Sequence, residues 1–130
     1  MASPHLRHWT IAVSLASLFF ILPHVVEDFA EGIAERAGLS TGVGAFLLGG
    51  LLALQSLGLI LIGQGRPVGF IVTGVVGLVW VAGALVDHGP ALLGGGFREG
   101  AISGLWVVGL ITTQAASSVL AWWGFWKRGA

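Results

Sequence analysis

Four apolar runs, separated by charged or glycine-rich stretches, set the pattern of this chain. They cover about 9–28, 42–64, 67–86 and 102–126. The second lies wholly within the charge-free segment between Arg36 and Arg66. Each run supplies the roughly 20 residues that a helix needs to cross the hydrocarbon of a bilayer. Alternation with a period of two is missing, and barrel strands would be much shorter, so helices are predicted throughout. The expectation is an all-α integral membrane protein: one domain over 1–130, with four transmembrane helices in an antiparallel bundle. The first run is read as a retained span rather than a cleaved leader, because it stays apolar past Pro23.

A weak internal echo bears on the same architecture. "DFAEG" at 28–32 follows the first span and "GFREG" at 96–100 follows the third, while "GLLALQ" at 50–55 resembles "GLITTQ" at 109–114. If these matches reflect duplication, the chain is two repeated helical hairpins. Small residues also recur every four positions: Ala45, Gly49 and Ala53 in the second span, then Gly65, Gly69, Thr73 and Gly77 in the third. The fourth span has Gly109, Thr113, Ser117 and Ala121. Such stripes let helix backbones approach closely in lipid, and they predict a packed bundle that forms a homo-oligomer or docks into a membrane complex.

Composition narrows the function classes. The 130 residues are 55% hydrophobic and only 9% charged, too little charge to cover a water-soluble domain. Cysteine is absent, which excludes disulfides, thiolate metal sites and thiol catalysis. Net charge is zero and the basic residues are scattered, so no nucleic-acid partner is expected. With four crossings, Arg7, Arg66, Lys127 and Arg128 share one face, while Arg36, Arg98 and all six acids share the other. The bias of basic residues places both termini in the cytoplasm of an inner (plasma) membrane.

The acidic residues are not evenly spread. Four of the six carboxylates, with His24, fall in "PHVVEDFAEGIAER" at 23–36. Counted along a helix from Trp9, His24 lies about 22 Å in, within the outer part of a hydrocarbon layer about 30 Å thick. At 100° per residue, His24, Glu27, Asp28, Glu31 and Glu35 share one arc, which continues inward through Ser17 and Thr10 with Ser14 at its margin. Asp87 and His88 end the third span on the same side. Gln55 and Gln114 sit near mid-membrane on the other two spans.

Ionisable groups inside a span mark an ion path, a proton relay or a cofactor by default. Imidazole with carboxylate suits a divalent metal ion, and the i to i+4 spacing of His24 and Asp28 permits chelation by one helix. The expected site is therefore a cation or metal site built from His24, Asp28, Asp87 and His88. Glu27, Ser17, Gln55 and Gln114 form a possible polar pathway from it, serving ion transport, permeation or sensing. One alternative is a non-catalytic accessory subunit of a larger membrane complex; another is a redox module with haem held by His24 and His88. No pattern places a serine beside a histidine for hydrolysis, so enzymatic function is not expected. Pro90 is expected to stop the third helix.

Overall fold

The structure, a computed structural model, describes residues 4–97 and 99–127. Arg98 and Arg128, which enter the charge comparison of the two faces, lie outside the described residues. The elements are α1 (Pro4–Ala30), α2 (Ile33–Arg36), α3 (Thr41–Gly63), α4 (Pro67–Pro90) and α5 (Ala101–Trp126), with a π-helical turn over Ala91–Gly95. All regular structure among the described residues is helical. Four helices (α1, α3, α4 with its extension, and α5) are long and apolar enough to cross a membrane.

Local chemistry explains where the helices begin and end. Ser40 caps α3, its hydroxyl accepting from the Val43 amide at 3.3 Å. The Thr41 hydroxyl donates to the Glu35 carboxylate, which holds that exposed acid below the usual carboxylate range. Between α3 and α4 the chain reverses through Gly65, whose φ of 78° is readily adopted only by glycine, and Pro67 then opens α4. Pro90 does not stop the helix as expected. The chain continues through a wider π-helical turn to Gly95, where Gly94 takes a non-helical φ of 109°. The arc expected to run on to Glu35 is also broken, because α1 ends at Ala30 and the chain turns at Gly32, with φ 74°.

The interior is more polar than the surface around it. α1 buries Thr10, Ser14, Ser17, Ile21, His24 and Asp28, a single stripe at alternating steps of three and four residues. Its outer face carries Trp9, Phe19, Leu22 and Val26, and that of α3 carries Phe46, Leu54 and Ile60. Two apolar clusters complete the interior: one around Ile21, Val76, Trp80, Ala84 and Leu110, the other around Ile62, Phe70 and Ala121.

α5 packs along both α1 and α4, and α3 packs along α4, whereas α1 and α3 touch only sparingly. Glycines set the close approaches. A Cβ on Gly69 would lie 2.5 Å from the Ile62 amide nitrogen and 2.8 Å from the Gly58 carbonyl oxygen, both backbone atoms that no rotamer change can move aside. A Cβ on Gly77 would meet Ser118 Oγ, with the Gln114 carbonyl oxygen 3.0 Å away. The small stripe of the third span is thus packed inside from Gly69 to Gly77, and Gly109, Ser117 and Ala121 of the fourth are buried too. Ala45, Gly49 and Ala53 instead face outward, with open space around Gly49.

Substitution separates the two kinds of glycine. Gly69→Ala is expected to destabilise the protein by about 1–3 kcal/mol through overpacking. Gly49→Ala is expected to be neutral or stabilising by up to about 1 kcal/mol through helix propensity. Unfolding of the purified variants in mixed micelles measures both, and equal effects would contradict the packing described.

Candidate metal centre

The stripe on α1 brings His24 and Asp28 to one turn of helix near its C-terminal end, and the last turns of α4 bring His88 against them. His24 Nε2 lies 3.2 Å from Asp28 Oδ2, and His88 Nε2 lies 3.4 Å from Asp28 Oδ1. The two imidazole rings are in edge-to-face contact, with centroids 4.8 Å apart. One ligand atom from each of the three residues can be chosen so that all lie within 4.8 Å of one another. Asp28 is therefore the shared member, with one oxygen facing each imidazole.

These separations suit a small divalent ion. Zinc–nitrogen and zinc–oxygen bonds near 2.0–2.1 Å put tetrahedral ligands about 3.3–3.4 Å apart. Each Asp28 contact is near that edge, one at each carboxylate oxygen, while the set with one atom per residue lies within 4.8 Å. His24 and Asp28 are 5% and 8% exposed, so the donors are held in a largely enclosed setting. His88 Nε2 is shielded from solvent and makes no hydrogen bond. Carboxylate oxygens of Asp28 and Asp87 lie only 3.4 and 3.3 Å from it, but off its hydrogen-bonding axis. Two carboxylates thus flank an enclosed nitrogen that makes no hydrogen bond.

Asp87 stands at the rim. Its Oδ2 is 3.3 Å from His88 Nε2 and 3.7 Å from Arg36 Nη2, so its carboxylate is shared with a cation of the chain itself. Of the four expected ligands, the structure brings three together and leaves the fourth divided. Glu27 is elsewhere, lining a separate surface groove with Glu31 and Glu99.

Three members of the expected pathway meet at mid-bundle. Gln55 Nε2 donates toward the Ser14 carbonyl at 3.1 Å and toward the hydroxyls of Ser14 and Ser17 at 3.2 Å each. Gln114 Nε2 donates to Ser17 Oγ at 2.8 Å and to Gln55 Oε1 at 3.2 Å. Trp80 Nε1 donates to the same Gln55 oxygen at 3.0 Å. An indole N–H can only donate, which fixes the orientation of the Gln55 amide. The result is one knot tying α1, α3, α4 and α5 together.

Sequence patterning missed two contributors. Trp80 lies seven residues before Asp87, two turns along the same face of α4, a register that would have flagged it. Arg36 is the near cation on the acidic side, and the charge pattern alone would have paired it with an acid. Comparison with protein-family models, curated proteins and solved structures gives no match. Function is therefore argued from this site.

Proposed function

We propose that the chain is an integral membrane protein whose helices α1, α3, α4 and α5 form an antiparallel four-helix bundle. In this proposal it binds a divalent transition-metal ion at His24, Asp28 and His88. The observation that carries it is the convergence of two imidazoles on one enclosed carboxylate, from two different helices. The outward-facing apolar side chains and inward-facing hydroxyls and amides support a lipid surround, since a lipid-facing polar stripe would be costly. End contacts support the antiparallel arrangement. Arg7 near the start of α1 donates to the Gly63 carbonyl at the end of α3 at 3.0 Å, while the ends of α1 and α4 meet at Asp28 and His88.

Sensing or gated transport fits better than an open permeation path. The knot of Gln55, Gln114, Ser17 and Trp80 has its groups joined to one another, so it closes the bundle below the site. Haem is the weaker alternative. Imidazoles that ligate iron from opposite faces of a macrocycle are separated by it, whereas these rings touch edge to face and aim at one carboxylate.

The test is direct. Tag-free protein, equilibrated with zinc, cobalt or nickel and then desalted, is expected to retain a single ion per chain by elemental analysis. Cobalt should add visible absorption of a low-symmetry, nitrogen- and oxygen-ligated ion. Failure to retain any of the three metals overturns the metal reading.

Orientation has its own test. The basic residues Arg7, Arg66 and Lys127 against the acidic far side support termini on the cytoplasmic face. Reporters fused after Ala130 should be active only in their cytoplasmic form, and reporters inserted at Gly94 only in their external form. The reverse pattern would invert the site to the inside.

A further inference from the structure

The cluster borders a cleft of about 210 Å³ between α1, α3 and α4. Its walls are apolar, formed chiefly by Val25, Ile33, Leu48, Leu51, Val79 and Trp80. His24, Asp28 and Asp87 are the polar groups in its lining. Trp80 and Asp87 are seven residues apart on α4, so the cleft runs about 10 Å along the helix from its polar end. The packing explains why it exists. α4 and α5 close on each other through Gly74, which faces Trp122, and Gly77, which faces Ser118. α1 and α3 meet beyond the polar end, where Phe29 of α1 lies against Gly44 of α3, and lower down, where Gln55 bonds to Ser14 and Ser17; the cleft lies between these two contacts. Gly83 opens the wall further, since a Cβ there would meet nothing within 4 Å.

A cleft with a narrow polar end and an apolar length fits an amphiphile, and charge decides the head group. Two carboxylates, Asp28 and Asp87, face this end together with the imidazole of His24. Arg36, the near cation, is 3.7 Å from Asp87 and about half exposed at the rim, while Asp28 lies deeper, each of its oxygens facing an imidazole. A primary ammonium brings three N–H donors to acceptors of this kind. Its tail takes the apolar walls, which an aqueous cation would leave unfilled.

We infer that the cleft between α1, α3 and α4 binds a lipophilic primary amine, its ammonium at Asp28 and Asp87 and its chain along Val25, Leu51, Val79 and Trp80. The ammonium and a metal ion draw on the same Asp28 carboxylate, so the two ligands exclude each other. The inference does not rest on the metal reading, because it concerns the metal-free protein.

The test uses chelator-treated protein in nanodiscs and radiolabelled octylamine, with empty nanodiscs giving the partitioning background. Saturable binding is expected, displaced by unlabelled octylamine and at least tenfold more weakly by octanol, octanoate or ethylamine. Asp28→Asn and Gly83→Leu should each weaken it more than tenfold. The second variant guards against misfolding, since leucine replaces glycine where there is open space and raises helix propensity. Equal displacement by octanol or octanoate would overturn the ammonium assignment. Wild-type binding by a folded Gly83→Leu variant would overturn the cleft. Loss of metal retention in the separate loading experiment, with amine binding intact, would remove the metal reading and leave this one standing.

Discussion

Asp28→Ala is expected to lower the affinity for zinc at least a hundredfold, more than any other single change in the protein. Asp28 is the member that both imidazoles face, at 3.2 and 3.4 Å, so its loss removes a ligand and the link between the other two. Changing even an outer partner of a metal ligand costs roughly 10–100-fold in affinity. Asp87→Ala should cost about tenfold, at the low end of the range for an outer partner, because its carboxylate is divided between His88 and Arg36.

Stability supplies the second half of this test. A ligand at a hundred times its dissociation constant stabilises the folded state by about 2.7 kcal/mol. Saturating zinc should therefore raise the unfolding midpoint of the wild type and leave that of Asp28→Ala unmoved. If the cluster is only an ion pair, breaking it would instead destabilise the metal-free protein by about 3–5 kcal/mol, and zinc would have no effect on either form. Titration calorimetry and metal-dependent unfolding together separate these outcomes.

How far the chain announced this site follows from which physics each part depends on. The four long helices are legible because apolar runs of that length have few alternatives, and the observed helices overlap every expected span. The meeting of His24 with Asp28 follows from helix periodicity within α1, which sequence carries directly. The approach of His88 depends on how α4 packs against its neighbours. Matching ends of two spans suggested it, but the distances depend on tertiary packing that spacing along one helix does not specify. Two local expectations failed for local reasons. Gly32 turned the chain before Glu35 could join the arc, and a π-helical turn carried the helix past Pro90. The small-residue stripe at Ala45, Gly49 and Ala53 faces outward because spacing says that a helix can be approached closely, not by what. The cleft left no mark in the sequence at all, since it is the space left between the contacts of α1 with α3 at Phe29 and at Gln55.

Gln55→Ala is expected to destabilise the protein by about 3 kcal/mol. Gln55 is 2% exposed and is the one residue of the knot that touches α1, α4 and α5 at once. Its interhelical hydrogen bonds are individually modest, averaging about 0.6 kcal/mol within membranes with a maximum near 1.7. The larger part comes from what is left behind. Trp80 loses the acceptor for its buried indole N–H, Gln114 loses one of its two acceptors, and a side-chain-sized cavity opens between four helices. Gln55→Leu keeps most of the volume and should cost less, about 1–3 kcal/mol for the orphaned donors. Gln114→Ala should also cost less than Gln55→Ala, because it donates to two groups and accepts from none of the knot. The double variant should lose less than the sum of the two, by about 0.5 kcal/mol or more, since both belong to one network. Ser56→Ala is the reference: its exposed hydroxyl bonds only to the Leu52 carbonyl of its own helix, and its change should stay within about 0.5 kcal/mol. Unfolding by titration into denaturing micelles orders the five variants. A Gln55→Ala loss no larger than that of Ser56→Ala would mean that the knot neither ties the helices nor closes the bundle below the His24, Asp28 and His88 cluster.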